Sequence, residues 1–92
     1  MALVLKSYTF EGLDSVVNLP SNAIIARSVE YTGTNTKVWL EVDAPALDGL
    51  TFQMHFVVKK QFESAPDNSF AYLGTYWNGT ERCFVYYKDY NT

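Results

Sequence analysis

The sequence predicts an all-β protein, a small single-domain antiparallel sandwich or partly closed barrel of about 6–7 strands. Three observations favour this class. Apolar and polar residues alternate with a period of two in several short runs. No segment keeps a 3.6-residue period over a helix-sized window, and turn-forming residues recur between the runs. The chain has 92 residues, which favours one domain over residues 1–92.

The first half of the chain predicts three strands. A short strand at Val16 and Val17 precedes the turn signal LPSN. The segment AIIARSVEY, residues 23–31, is rich in β-branched residues and is typical of a strand. After the loop TGTNT, residues 37–43 alternate in KVWLEVD, with Val38, Leu40 and Val42 on one face.

The second half begins with a loop, APALDG at 44–49, and the clearest strand, LTFQMHFVV at 50–58. Every second residue of that strand is apolar, which is typical of a strand with one buried face. The segment ESAPDNS, residues 63–69, is the longest polar loop. Because the connections are short, most strands are expected to pair with their sequence neighbours.

The stretch YLGTYWNGTERCFVYY, residues 72–87, predicts an aromatic hairpin. Asn-Gly tolerates positive φ at both positions and favours a two-residue type I′ turn. In that register Trp77 faces Thr80 and Leu73 faces Phe84. One face carries Leu73, Thr75, Trp77, Arg82, Phe84 and Tyr86. The other carries Phe70, Tyr72, Gly74, Tyr76, Cys83, Val85 and Tyr87.

Neither face of this hairpin is plainly polar, although a sheet with one wet face should alternate cleanly. Either both faces are covered within the monomer, or the tyrosines lie flat on the sheet with their hydroxyls in water, or one face is an interface with a second copy or another partner. Tyr, Trp and Arg are enriched at interface hot spots. The candidate binding residues are therefore Trp77, Tyr76, Arg82 and Tyr86 in the hairpin, together with Trp39.

Composition excludes several classes of protein. The net charge of −3 and pI near 4.9 argue against binding to a nucleic acid polymer, which needs clustered Lys and Arg. A single cysteine, Cys83, cannot form an intramolecular disulfide. The start MALVLKSYTFEG has an apolar run that is too short for a signal peptide and is interrupted by Lys6. These features predict a cytoplasmic protein without a membrane partner.

No arrangement of residues predicts an enzyme. His55 is the only histidine, and no nucleophile is placed beside it by spacing. One Cys and one His do not complete a zinc site without carboxylates. Glu41 and Asp43 share a strand face, but such a pair is more often solvated than catalytic. We therefore expect no catalytic residue, no metal and no cofactor.

Several fragments in order resemble a family of small domains of unknown function that is common in bacteriophages and prophages. The fragments are Lys6-x-Tyr8, Val17-Asn18-Leu19-Pro20 with Ala23-Ile24-Ile25, Val38-Trp39-Leu40-x-Val42-Asp43, Tyr72-Leu73-Gly74-Thr75 and Phe84-Val85-Tyr86-Tyr87. The family often has His where Tyr86 stands and Gly-His-Pro where Lys60-Gln61-Phe62 stands. The resemblance implies a phage accessory protein with a compact β-fold, in the cytoplasm of the bacterial host, and implies no catalytic residues.

Three functions remain open. The first is a non-enzymatic binding protein that inhibits a host protein, for example an antiviral defence protein, through an aromatic-rich surface. The second is an oligomer that sequesters a signalling nucleotide at a subunit interface, with Tyr or Trp stacking on the base and Arg82 or Lys60 meeting phosphate. The third is a virion or self-assembling structural module. All three are compatible with a homo-oligomer, because the edge strands of a small sheet need cover.

Overall fold

The computed structural model describes residues 3–20, 23–43 and 51–90, and this part of the chain is all-β. Its seven strands are Leu3–Phe10 (β1), Asp14–Pro20 (β2), Ala23–Tyr31 (β3), Thr36–Asp43 (β4), Thr51–Lys60 (β5), Ala71–Trp77 (β6) and Arg82–Asp89 (β7). The predicted fold class is thus confirmed. The predicted strand at Val16 and Val17 extends to Pro20, and the predicted loop at 44–49 lies outside the described residues.

The strands form two separate antiparallel sheets that pack as a sandwich. The three-stranded sheet has the order β1-β4-β3, and the four-stranded sheet has the order β2-β5-β7-β6. Only β3 with β4 and β6 with β7 are sequence neighbours that pair, so the expectation of mostly adjacent pairing is wrong. The reason is that even the three-residue turn between β1 and β2 connects strands of opposite sheets.

The core lies between the sheets and follows the predicted alternation. Val38 of β4 is buried in one cluster with Phe56 and Val58 of β5 and Val85 of β7. Leu40 of β4 is buried in a second cluster with Leu19 of β2. Phe10 of β1 stacks on Phe56, with ring centroids 5.2 Å apart and an interplanar angle of 19°. The odd-numbered residues of β4 and the even-numbered residues of β7 consequently face away from the core.

The connection from β5 to β6 crosses the outer side of the four-stranded sheet. It leaves β5 at Lys60, passes β7, and enters β6 at Ala71. At its far end, Phe70 packs edge-on against His55, with centroids 5.2 Å apart, and the Lys88 ammonium lies 4.7 Å from its ring centroid. The polar loop predicted at 63–69 is therefore a crossover that rests on the sheet.

The hairpin turn differs from the two-residue type I′ turn that Asn78-Gly79 predicts. Trp77 pairs with Arg82, so four residues, 78–81, connect the strands. The Asn78 side-chain Oδ1 accepts hydrogen bonds from the backbone N–H groups of Thr80 and Glu81, both at 2.9 Å. Only Gly79 of this turn has positive φ, at 105°. The Asn78 side chain thus organises a longer turn, and every predicted cross-strand pair of the hairpin is shifted.

A bulge at Leu73 also changes which residues share a face. The register shifts between Tyr72 and Gly74, so Tyr72 pairs with Tyr86 and Gly74 pairs with Val85. Leu73 packs against the core, whereas Tyr72 is 54% exposed. The predicted placement of these two residues was therefore reversed, because a bulge moves every following side chain to the other face.

Candidate binding surface

The outer side of β6 and β7 presents a set of aromatic side chains that the core does not use. We call this the aromatic face and define it by Phe62, Tyr72, Trp77, Arg82, Phe84 and Tyr86. Trp77 and Tyr72 are each 54% exposed, and Phe62 is fully exposed. An aromatic set of this kind, with the cation of Arg82 at one end, can bind an apolar or aromatic group and hold an anion beside it.

Trp77 and Arg82 form the end of this face next to the hairpin turn. They are directly opposite each other in the β6–β7 register. Gln61 holds the backbone of Arg82 on the side away from Trp77. The Gln61 backbone N–H donates to the Arg82 carbonyl at 2.9 Å, and the Gln61 side-chain oxygen accepts from the Arg82 backbone N–H at 3.1 Å. The guanidinium is therefore carried on a backbone that Gln61 holds by two hydrogen bonds, and the Arg82 side chain is exposed.

Tyr86 lies near the middle of the aromatic face. Its ring meets the Tyr72 ring edge-on, with centroids 5.6 Å apart and planes at 62°. Tyr86 and Phe84 also line a shallow depression of about 150 Å³ together with Ala65 and Phe62 of the crossover. The bulge at Leu73 is what brings Tyr72 to this side, so the surface depends on a feature that the sequence pattern did not show.

Phe62 is an unusual residue for a solvent-facing turn. It occupies the third position of the turn 60–63, which a hydrogen bond from the Glu63 amide to the Lys60 carbonyl closes at 3.1 Å. Its φ of 71° lies in the left-handed region, where glycine is favoured at this position. The ring is 100% exposed. Neither the backbone conformation nor the exposure is explained by packing within the described residues.

Tyr76, by contrast, does not belong to the aromatic face. It points between the sheets, where its ring stacks on Tyr31 at 5.1 Å and its hydroxyl is 2.9 Å from the Thr36 Oγ1. Burial raises the pKa of the Tyr76 phenol above its ordinary value, so the hydroxyl stays protonated. The structure thus separates Tyr76 from Trp77, Arg82 and Tyr86, with which the hairpin sequence grouped it as a candidate binding residue.

Trp39 lies on the opposite side of the molecule, on the outer side of the three-stranded sheet. Its indole Nε1 donates a hydrogen bond of 2.9 Å to Glu30, and the Lys37 ammonium lies 5.8 Å from its ring centroid. Arg27 and Glu41 form an ion pair of 2.9 Å on the same sheet. Trp39 therefore has local partners and cannot contribute to one contact together with Trp77.

The charges around the aromatic face are unevenly paired. Lys60 pairs with Glu81 at 3.4 Å, and the Glu63 carboxylate accepts a hydrogen bond from the Lys60 amide at 2.6 Å. Within the described ranges, the side chains of Lys59 and Arg82 form no ion pair. The three cations Lys59, Lys60 and Arg82 outnumber the carboxylates of Glu63 and Glu81, so this region has an excess of positive charge, although the whole chain carries −3.

A pocket opens at the end of the sandwich between the turns that follow β1, β3 and β6. Its volume is about 240 Å³, close to the lower end of small-molecule sites. Tyr31, Tyr76, Thr36, Lys60, Asn78 and Cys83 contribute to its lining. Arg82 lies on the outer side of the sheet and does not line it. Arg82 and Lys60 were the two candidate contacts for a phosphate, and only Lys60 shares this pocket with Tyr31 and Tyr76.

The two residues with catalytic potential have structural surroundings. The His55 Nε2 lies 2.7 Å from an Asp14 carboxylate oxygen, and the ring packs edge-on against Phe70 and Tyr90. Cys83 is 2% exposed, and burial raises the pKa of its thiol, which disfavours the nucleophilic thiolate. In the described part of the chain, no three His, Cys, Asp or Glu residues are grouped as metal ligands would be.

The described residues also form no helix long and apolar enough to cross a membrane. No protein-family model, no curated protein and no solved structure matches the chain. The resemblance to a phage domain family therefore stays a prediction.

Proposed function

We propose that this chain is a non-enzymatic binding protein that docks on another protein through its aromatic face. One observation carries the proposal: Phe62, Tyr72 and Trp77 expose half or more of their surface on the same side of the four-stranded sheet. Following the sequence resemblance, the partner we propose is a host protein of antiviral defence, which a phage-encoded protein would inhibit by occupying its surface.

The chemistry of the aromatic face favours protein docking. Trp, Tyr and Arg supply most of the binding energy at protein interfaces, because they bury large areas and satisfy polar groups at their tips. Here they are mounted on paired strands, so little conformational entropy is lost when a partner binds. Trp77 and Arg82 are placed at one end and Tyr86 and Tyr72 in the middle, an arrangement typical of anchors within one contact.

The test compares two tryptophans that lie on opposite sides of the sandwich. The purified protein is immobilised and exposed to bacterial lysate, and captured proteins are quantified by mass spectrometry. We expect one stoichiometric partner, with capture reduced at least about tenfold by Trp77→Ala, since truncating a hot-spot aromatic costs about 2 kcal/mol or more. The same substitution at Trp39 should leave capture unchanged, and inhibition is then measured on the purified partner.

Circular dichroism of both variants checks that the fold is retained, as the exposure of Trp77 predicts. Equal capture by the wild type and Trp77→Ala would refute docking through the aromatic face. Loss of capture by Trp39→Ala alone would move the binding surface to the three-stranded sheet.

A second candidate function is sequestration of a signalling nucleotide, and the pocket at the end of the sandwich favours it. The stacked pair of Tyr31 and Tyr76 offers an aromatic wall for a base, and Lys60, whose ammonium pairs with Glu81, lines the same pocket. The side-chain NH₂ group of Asn78, whose oxygen is bonded to the turn, can donate a hydrogen bond to a ribose. In this proposal the site lies within one chain.

Thermal unfolding in the presence of a panel of mono-, di- and cyclic dinucleotides tests this candidate. A ligand present at 100 times its Kd would stabilise the fold by about 2.7 kcal/mol, a clear rise in Tm for a domain of this size. Lys60→Ala should abolish the rise. Lys59→Ala is the matched control, because adjacent residues of a strand point to opposite faces. A panel without any rise in Tm counts against the pocket.

A further inference from the structure

We infer that Phe62 is the anchor of the aromatic face and that the partner presents an apolar pocket bordered by carboxylates. This inference rests on the proposed function and specifies the chemistry of the partner. It follows from three features of the described residues: the backbone of Phe62, the exposure of its ring, and two cations of the neighbouring strands, Lys59 and Arg82, that form no ion pair within the described ranges.

The backbone at Phe62 is costly for this residue. A φ of 71° brings Cβ close to the neighbouring carbonyl, a penalty that glycine does not have. The crossover turn would be more stable with glycine, yet it holds a large aromatic ring. Strained backbone positions persist where the surrounding structure over-determines them, and they cluster at ligand and partner contacts.

The ring has no compensating contact in the free protein. It is 100% exposed, more than any other large apolar side chain in the described residues. The backbone around Phe62 is fixed all the same, because hydrogen bonds between Glu63 and Lys60 close its turn, and Gln61 is bonded to Arg82 through both its backbone amide and its side chain. A projecting ring on a fixed turn is suited to enter a pocket, whereas a flat surface would not bury it.

The charges beside Phe62 define the rim of that pocket. Lys59 lines the same depression as Phe62 and Phe84, and Arg82 is bonded through its backbone to the neighbouring Gln61. Neither cation forms an ion pair within the described ranges, whereas Glu63 and Glu81 are both engaged with Lys60. A partner with Asp or Glu around an apolar pocket would pair with both cations and gain a faster association rate.

The experiment uses two yeast-displayed libraries of short peptides with a random apolar centre. The peptides of one library are flanked by Asp and Glu, and those of the other by Lys and Arg. We expect the wild-type protein to enrich the acidic library only. Phe62→Gly should reduce the affinity of the selected peptides at least about tenfold. The charge reversals Lys59→Glu and Arg82→Glu should also reduce the affinity, and by a larger factor at low salt than at high salt.

Phe62→Gly also has a predicted effect that does not depend on a partner. Glycine removes the strain of the left-handed backbone, and no packing is lost because the ring is fully exposed. We expect the Tm to stay level or rise by roughly 2–6 °C. A variant that binds less and is at least as stable separates an anchoring role from a structural one. A fall in Tm would overturn the inference.

The other results that would overturn it are distinct from failure of the proposed function. Equal enrichment of both libraries, or selected peptides that bind Phe62→Gly as well as the wild type, would remove the acidic pocket and the anchor. Capture of a lysate protein could still depend on Trp77, and the proposed function would then stand. Phe62-dependent self-association in sedimentation velocity would make a second copy the occupant, and Phe62-dependent binding of oligothymidylate would make it a nucleic acid.

Discussion

Replacing Phe56 by alanine is expected to lower the free energy of unfolding by about 3–5 kcal/mol, a large share of the stability of a small domain. Phe56 is fully buried at the centre of the sandwich. Its ring stacks on Phe10 of the three-stranded sheet and meets Tyr87 of its own sheet at 6.3 Å. The substitution therefore leaves a cavity between the two sheets, where β-strands cannot easily move together to refill it.

Urea unfolding followed by circular dichroism measures this effect, and Phe62→Ala is the matched control. Both substitutions remove the same atoms, but Phe62 is fully exposed whereas Phe56 is fully buried. We expect Phe62→Ala to change the free energy of unfolding by no more than about 0.5 kcal/mol. Similar costs for the two variants would show that Phe56 does not hold the sheets together.

Most strands of this protein could be located from the sequence because their signal is local, although no segment was predicted for β1. Residues 50–58 alternate apolar and polar side chains, and β5 occupies residues 51–60 with Phe56 and Val58 buried. Residues 23–31 and 37–43 likewise form β3 and β4, with one more residue at the start of β4. Period two reports which side of a strand is apolar, and burial of that side between two sheets is the outcome with the lowest free energy.

Pairing and register could not be predicted in the same way, because they depend on contacts distant in sequence. A short turn such as 11–13 can close a hairpin or carry the chain from one sheet to the other, and both need the same residue types. In the β6–β7 hairpin, the side-chain oxygen of Asn78 bonds to two amides and replaces the expected turn. The bulge at Leu73 then exchanges the faces of Leu73 and Tyr72.

The candidate surface was accordingly predicted in part. Trp77, Arg82 and Tyr86 lie together on the outer side of the four-stranded sheet, as one face of the hairpin pattern indicated. Tyr76 is directed inward, and Trp39 lies on the other sheet. Phe62 was missed altogether, although an isolated aromatic residue in a polar loop is a signal that sequence alone offers. Its positive φ and its full exposure need the structure.

Gly74→Ala tests how closely the two sheets approach at the edge where β3 faces β6. A methyl group at Gly74 would lie 2.8 Å from the Val29 Cγ1, closer than van der Waals contact allows. Val29 cannot easily turn away, because β-branched side chains are restricted at χ1. We therefore expect Gly74→Ala to lower the free energy of unfolding by about 1–3 kcal/mol, measured by urea unfolding.

The double variant Gly74→Ala with Val29→Ala distinguishes this clash from a general weakness of β6. Val29→Ala alone should be destabilising, because Val29 packs against the core, but it also makes room for the new methyl group. The double variant should then be more stable than the sum of the two costs predicts, by about 1 kcal/mol or more. Val17→Ala is the control partner: it lies on β2 at the opposite edge of the four-stranded sheet, and its cost should add to that of Gly74→Ala. If Val29→Ala is equally additive, close contact with Val29 is not the reason that β6 has glycine at this position.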